Sequence, residues 1–262
     1  MSNQNIEVNI GETAYSVAPG KYDHFWRLAA SGSWEPETFD VIKRFAKHDQ
    51  AYIDIGTWVG PTLLFGAQHA NTAFGFEPDP VAHAEAEKNL ALNPAILEKT
   101  KLLKLGITVE TGNLRMGSLR DQGDSMSSVL YDDAEHSWEI EGIQFDDFLS
   151  RFQVGKCGFI KMDIEGGEYL VLPTMRAYLS AAKPTLLISF HPRFLGNQFG
   201  KGLRFKAQRF TVRLTKMLRL LPTLNAYTHH YDMFGNKLSI AQILKLGLRG
   251  NLFSIVCTEQ TW

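Results

Sequence analysis

Ala51-Tyr-Ile-Asp-Ile-Gly-Thr-Trp-Val-Gly60, read together with Gly75-Phe-Glu-Pro-Asp79, decides the fold. Tyr52, Ile53 and Ile55 suit a short buried strand, which breaks at Gly56 into a turn closed by Gly60. Pro61 then opens a helical run through Gln68, because proline's fixed φ suits the first helical position. A second strand, Thr72 to Phe76, leads into Glu77, 21 positions beyond Gly56. Such spacing belongs to a nucleotide-binding βαβ unit, in which glycines admit the ligand to the backbone and a later acid grips ribose hydroxyls. The pattern points to an adenosine-containing cofactor.

Dinucleotide sites need G-x-G-x-x-G, so that a pyrophosphate can sit on a helix N-terminus. Here Gly56 and Gly60 are present, Trp58 occupies the middle, and Asp54 stands just before the turn. A carboxylate and an indole suit a pyrophosphate poorly and a zwitterionic, cationic ligand better. D-x-G-x-x-x-G followed by a strand ending in Glu resembles the S-adenosylmethionine site of class I methyltransferases. That resemblance puts Asp54 and Gly56 at the methionine end and Glu77 on the ribose. Trp58, Gly60 and Glu35 complete the candidate cofactor residues, Glu35 lying in the turn Ser31-Gly-Ser-Trp-Glu-Pro36. The bland alternative is an ordinary glycine turn, with Glu77 capping the next helix.

The chain has 262 residues, 44% of them hydrophobic, which fits one α/β domain with embellishments. No stretch approaches the 18 or more apolar residues of a membrane span. Met1-Ser-Asn-Gln-Asn-Ile-Glu7 has no basic or apolar leader pattern, and Cys157 and Cys257 fall in expected buried strands as reduced thiols. A cytoplasmic protein is the expectation. Net charge is only −1, yet residues 1–168 carry 14 basic and 26 acidic side chains, whereas residues 169–262 carry 13 and 2. Either one end meets an anionic partner or the two halves face each other.

Residues 6–18 alternate weakly around Gly11 and suggest a hairpin. Helices are expected over Lys21–Ala30, Glu37–Lys47 and Pro80–Leu92, and a strand over Leu102–Val109. Residues 110–150 read as an insertion, with an extra strand over Ser127–Leu130 and an acidic loop, Asp132-Asp-Ala-Glu-His136, that matches no metal-ligand spacing. Gly158–Met162 and Leu186–Phe190 are the next sheet strands. Tyr227–Met233 and Leu252–Cys257 form a closing antiparallel pair, joined through a helix around Ile240–Leu246.

Phe159-Ile-Lys-Met-Asp-Ile-Glu-Gly-Gly-Glu168 carries the chemistry. Strand alternation sets Lys161 and Asp163 on one face, with Glu165 following where the strand ends. Ligands of open α/β sheets bind beyond the carboxyl ends of the strands, so Asp54 and Asp163 would flank that crevice. Ser189-Phe-His-Pro192 reaches the same rim.

Tyr52-Ile-Asp-Ile-Gly-x-x-x-Gly60, Phe76-Glu-Pro78, Lys88-Asn-Leu90 with Asn93, Ile160 to Glu168, and Phe190-His-Pro192 resemble, in order and spacing, the FkbM-type methyltransferases. The resemblance covers roughly residues 34–192. It implies an α/β fold of class I methyltransferase (Rossmann-like) type: a seven-stranded, mostly parallel sheet with an N-terminal extension and a C-terminal lid insertion. Residues 1–50 would be the extension, 51–192 the cofactor-binding core, 193–226 a basic lid or surface helix, and 227–262 the closing strands. It also implies S-adenosyl-L-methionine as cofactor and O-methylation of a sugar, nucleotide sugar, glycan or related natural product.

Methyl transfer proceeds by in-line displacement, so holding the acceptor oxygen behind the methyl group supplies much of the rate. A base assists loss of the hydroxyl proton; His191 is the first candidate because imidazole titrates near neutral pH, and Asp163 is the second. Lys161 joins them as a catalytic candidate. Alternatively, Asp163, Glu165 and Glu168 hold Mg²⁺, which acidifies the hydroxyl. For Glu168 the plainer reading is an acid complementing a helix dipole.

Residues 201–221 contain seven cations (Lys201, Arg204, Lys206, Arg209, Arg213, Lys216, Arg219) and no acid. Leu203, Ala207, Phe210, Leu214, Met217 and Leu221 recur at helical spacing. Three readings stand: a surface helix packed on the acidic half, a lid gripping an anionic acceptor, or an interfacial helix at anionic lipid. No nucleic-acid motif appears. The rival functions are an NAD-dependent oxidoreductase, which lacks its third glycine here, and a non-catalytic protein that binds through the basic helix.

Overall fold

The structure is a computed structural model that describes residues 4–118, 122–131, 135–196 and 203–262. A hairpin of β1 (Ile6–Ile10) and β2 (Thr13–Val17) leads through a 3₁₀ turn into α1 (Asp23–Ala30) and α2 (Pro36–Phe45). The βαβ unit follows as β3 (Ala51–Ile55), α3 (Pro61–Gln68) and β4 (Thr72–Phe76), then α4 (Pro80–Ala91), α5 (Pro94–Leu97) and β5 (Thr100–Leu103). Next come β6 (Gly106–Ile107), β7 (Gly112–Ser118), β8 (His136–Ile143) and α6 (Phe145–Phe152). The second half supplies β9 (Cys157–Met162), α7 (Glu168–Val171), α8 (Arg176–Ala182), β10 (Thr185–Phe190) and α9 (Leu203–Leu224). It closes with β11 (His229–Tyr231), α10 (Ile240–Arg249) and β12 (Phe253–Thr258).

Seven strands form the main sheet in the order β11-β12-β10-β9-β3-β4-β5. Only β12 runs against its neighbours, β10 and β11; the other pairs are parallel. From β3 the chain builds outward to β4 and β5, then returns to place β9 on the other side of β3. The switch point therefore lies at the carboxyl ends of β3 and β9, where open α/β sheets open a ligand crevice.

Period-two alternation divides the core. Ile53, Ile55, Ile160 and Met162 face a layer that includes Phe148 of α6, Met175, Leu179 of α8 and Leu220 of α9. Tyr52 and Phe159 face the opposite layer, with the N-terminal hairpin, Trp26 of α1, Ile42 of α2 and Leu63 of α3. Asp54 and Lys161 are partners across β3 and β9, and by the same alternation share the Tyr52 face. Cys157 and Cys257 are buried, free thiols, as expected.

Three sequence expectations change. Leu102–Val109 is not one strand: β5 ends at Leu103, and β6 pairs with β8 in a separate sheet of order β6-β8-β7. Ser127–Leu130 makes one bridge, Ser128 with Gly117, before a 3₁₀ turn at Val129–Tyr131. The basic helix buries only part of the stripe its spacing suggests, with Ala207 and Phe210 of that stripe left exposed. Met217, Leu220 and Leu224 enter the core while Phe210 stays 50% exposed. Helix α9 is apolar on two faces, so periodicity alone cannot choose between them. It is the crossover between the parallel strands β10 and β11, and among the described residues it packs chiefly on α10, α7 and α8. Lys201 of that segment, and Asp132 and Asp133 of the acidic loop, lie outside the described residues. Among the described residues no helix is long and apolar enough to cross a membrane.

Candidate active site

The turn after β3 admits no side chain at its first glycine. Gly56 has φ +88°, and a Cβ there would stand 1.8 Å from the Asp163 carbonyl oxygen. The amides of Gly56 and Thr57 both donate to the Phe76 carbonyl at the end of β4. Trp58 is held at φ 50°, a costly conformation for an aromatic residue. Its amide donates to Glu77 Oε2 at 2.7 Å, and Asp79 donates to Glu77 Oε1 at 2.9 Å. Burial pushes the Glu77 carboxyl up to about 7, despite those two backbone donors.

A segment around Gly123 that the sequence did not disclose packs against this side. Gly123 donates to Asp79 Oδ2 at 2.7 Å, and its carbonyl accepts from Trp58 Nε1 and Tyr22 Oη. Asp79 also caps α4 through the amides of Val81 and Ala82. An Asp before Pro signals the cap, but the link to Gly123 spans 44 positions and carries no local mark.

Next to the turn lies a cavity of about 610 Å³. Gly56, Trp58, Glu77, Glu35, Lys161, Asp163, Glu165 and His191 all line it, so strand ends far apart in sequence meet at one crevice. Its far wall is apolar and includes Ile107, Leu114, Met116 and Ile140 around the small sheet. Glu35 enters at the head of α2 with φ 42°, accepting from Thr38, and burial followed by the charge of Asp163 raises its pKa.

Asp54 and Gly60 stand elsewhere. Gly60 heads α3, off the cavity lining. Asp54 is fully buried behind Lys161, with Oδ1 3.2 Å from Lys161 Nζ and Oδ2 accepting from Thr62 at 2.7 Å. Lys161 Nζ also donates to the Gly56 carbonyl at 2.9 Å. Burial opposes the Lys161 cation, but Asp54, Asp163 and Glu35 outweigh it and raise its pKa. The pair thus braces the glycine turn from beneath, with Asp54 off the cavity lining. Strand register, which the sequence does not print, sets it there.

At the other rim His191 follows β10 and is 3% exposed. Its Nδ1 lies 3.1 Å from Glu168 Oε1. Its Nε2 is turned toward Glu165 Oε2 at 3.4 Å and Asp163 Oδ1 at 3.6 Å. Glu168, fully buried, also accepts from the amides of Ile164 and Gly166. It therefore orients the imidazole, a task beyond complementing the dipole of α7. Burial disfavours the imidazolium, but the Glu168 hydrogen bond and the charge of Asp163 push its pKa up to about 9. Glu165, at φ 51°, is pushed up to about 7, chiefly by burial.

The profile of the methyltransferase FkbM domain matches residues 46–226. The chain belongs to the FkbM methyltransferase family. Its fold is that of class I S-adenosylmethionine-dependent methyltransferases, and that cofactor is the family's methyl donor. The nicotinamide alternative falls away with this membership. No curated protein matches the chain in sequence. Among solved structures, a methyltransferase FkbM from Methylobacillus flagellatus is 21% identical over 55% of this chain and 33% of its own, with a TM-score of 0.41. This FkbM-family chain thus spans about a third of that protein. A TehB-like SAM-dependent methyltransferase from Corynebacterium glutamicum is 11% identical, covering 91% and 97% of the two chains, with a TM-score of 0.44. An rRNA methylase from Streptococcus thermophilus is 8% identical, covering 85% and 95%, with a TM-score of 0.41.

Proposed function

We propose that this protein is an O-methyltransferase acting on a hydroxyl of a sugar, nucleotide sugar, glycan or related natural product. One observation carries the reading: Asp163, Glu165 and His191 converge on the same cavity as the glycine turn and the buried Glu77 carboxylate. The reading that the cavity takes the methyl donor is supported by Gly56, where a ligand can approach the backbone, and by Glu77, whose carboxylate suits ribose hydroxyls. When bound, S-adenosylmethionine supplies an electrophilic methyl group on a sulfonium.

The chain's own residues do the rest. Trp58 and Phe25, with ring centroids 4.5 Å apart, and Trp34 form an aromatic wall that suits a cationic ligand. Glu35 sets a carboxylate beside that wall. Asp163, Glu165 and His191 hold the acceptor oxygen and take up or displace its proton, so that it points at the donor end. Mg²⁺ on Asp163 and Glu165 is one variant of this scheme, but it prefers an all-oxygen octahedron, which fits poorly with an imidazole as the third neighbour.

The test is transfer of a deuterated methyl group from S-adenosylmethionine to a panel of sugars, nucleotide sugars and glycosylated natural products, with the site located by NMR. A methyl ether is expected. Methylation of nitrogen or carbon, with hydroxyl-only acceptors untouched, overturns the reading.

A further inference from the structure

We propose that Asp163, Glu165 and His191 form a binding site for a divalent first-row transition ion, with Glu168 as the positioning residue behind the imidazole. One donor atom from each of the three residues falls within 4.8 Å of the others. Nε2 of His191 lies 3.4 Å from Glu165 Oε2 and 3.6 Å from Asp163 Oδ1. Those separations are long for hydrogen bonds. They match the edge of a four-coordinate shell, in which donors about 2.1 Å from the ion stand roughly 3.4 Å apart.

Two further observations point to a ligand. The His191 side chain is 4% exposed, and its free nitrogen is aimed between two carboxylates. Glu165 Oε2 is buried and has no hydrogen-bond partner among the described residues, a costly state unless something else occupies its lone pairs. Glu168 completes the arrangement. It binds Nδ1, which fixes the tautomer that leaves Nε2 as a donor, and such carboxylate–histidine relays accompany ligating histidines. Glu168 is itself held by two backbone amides. Asp163 is 24% exposed on its cavity side, leaving room for a further oxygen ligand.

An imidazole with two carboxylates selects against Mg²⁺ and for ions such as Zn²⁺, Mn²⁺ or Fe²⁺. Histidine and metal cease to be rival catalytic devices, because the imidazole becomes a ligand of the ion. An ion held here would lower the pKa of an oxygen bound to it, which would assist a hydroxyl acceptor. That role rests on the O-methylation proposed above; the binding does not.

The experiment is calorimetric titration of chelator-stripped, full-length protein with Zn²⁺, Mn²⁺ and Mg²⁺, with the paramagnetic spectrum of Mn²⁺ as a second readout. One equivalent of Zn²⁺ or Mn²⁺ should bind at least ~10-fold more tightly than Mg²⁺. His191→Ala and Asp163→Asn should remove that preference. Glu168→Gln should weaken binding by roughly 10- to 100-fold while the first three ligands remain. His136→Ala, at an exposed position of β8, should bind as the unmodified protein does. If Glu168→Gln fails to fold, the His191 and Asp163 variants decide alone. Absence of binding, equal affinity for Mg²⁺, or unchanged binding by His191→Ala overturns the inference. Full hydroxyl methylation by stripped protein that binds no ion sinks the metal and leaves O-methylation standing. Tight ion binding with methylation of nitrogen does the reverse.

Discussion

Glu77 shows how one buried side chain couples the ligand site to stability. Its folded pKa, about 7, lies above the usual 4.5, so the folded state holds the proton more tightly than the unfolded chain. The stabilisation that this protonation gives is fully present below pH 4.5 and is lost as pH rises through 7. In the ligand-free protein, Glu77→Gln should therefore flatten the fall of melting temperature between about pH 5 and 7, and it should weaken S-adenosylmethionine binding most at pH 8. An unchanged slope means that burial does not govern this carboxyl. Asp54 behaves oppositely on mutation. Asp54→Asn removes the closest counter-charge of the buried Lys161 cation and should cost ~3–5 kcal/mol in chemical denaturation. A loss under 1 kcal/mol would show that the pair does not brace the turn. Gly56→Ala meets the Asp163 carbonyl and should abolish cofactor binding even if the protein still folds.

Among the elements, α9 separates structural from exposed cations. Arg213 Nε donates to the Pro192 carbonyl at 3.0 Å, next to His191, whereas Lys206 is exposed. Arg213→Ala should lower stability by ~1–2 kcal/mol, and Lys206→Ala should stay within about 0.5 kcal/mol. Equal effects in parallel urea titrations would contradict this division. The same contact bears on the basic segment as a lid. No residue of α9 lines the cavity among the described residues, while Arg193 and the 124–127 segment do. A basic run of helical spacing could not reveal this, because its charge reports neither its neighbours nor its face. The 123–124 segment was equally silent. Its hold on Trp58 and Asp79 comes from backbone groups of Gly123, and backbone groups leave no signature in side-chain type.

For the whole molecule, the switch point between β3 and β9 joins a cofactor half to a chemical half, so ligand binding should stabilise the fold as a unit. At 100 times its dissociation constant, S-adenosylmethionine should add about 2.7 kcal/mol to unfolding and raise the melting temperature by several degrees. NAD should give no shift. A shift with NAD and none with S-adenosylmethionine would contradict the cofactor assignment.

Local rules determined much of this molecule in advance. The turn Gly56–Gly60, the spaced Glu77, the strand ending at Lys161 to Glu165 and His191 after β10 are each set by short-range sterics and alternation, which a sequence displays directly. The seven-stranded sheet was implied by the family resemblance that these motifs carry, not by the local rules themselves. Tertiary structure alone decided the pairings. Asp54 became a partner of Lys161 through the register of β3 on β9. Glu168 became the support of His191 across 23 positions, and Phe210 rather than Met217 was left to solvent. In each case a side chain had two chemically acceptable fates, and the choice rested on which distant surface arrived beside it.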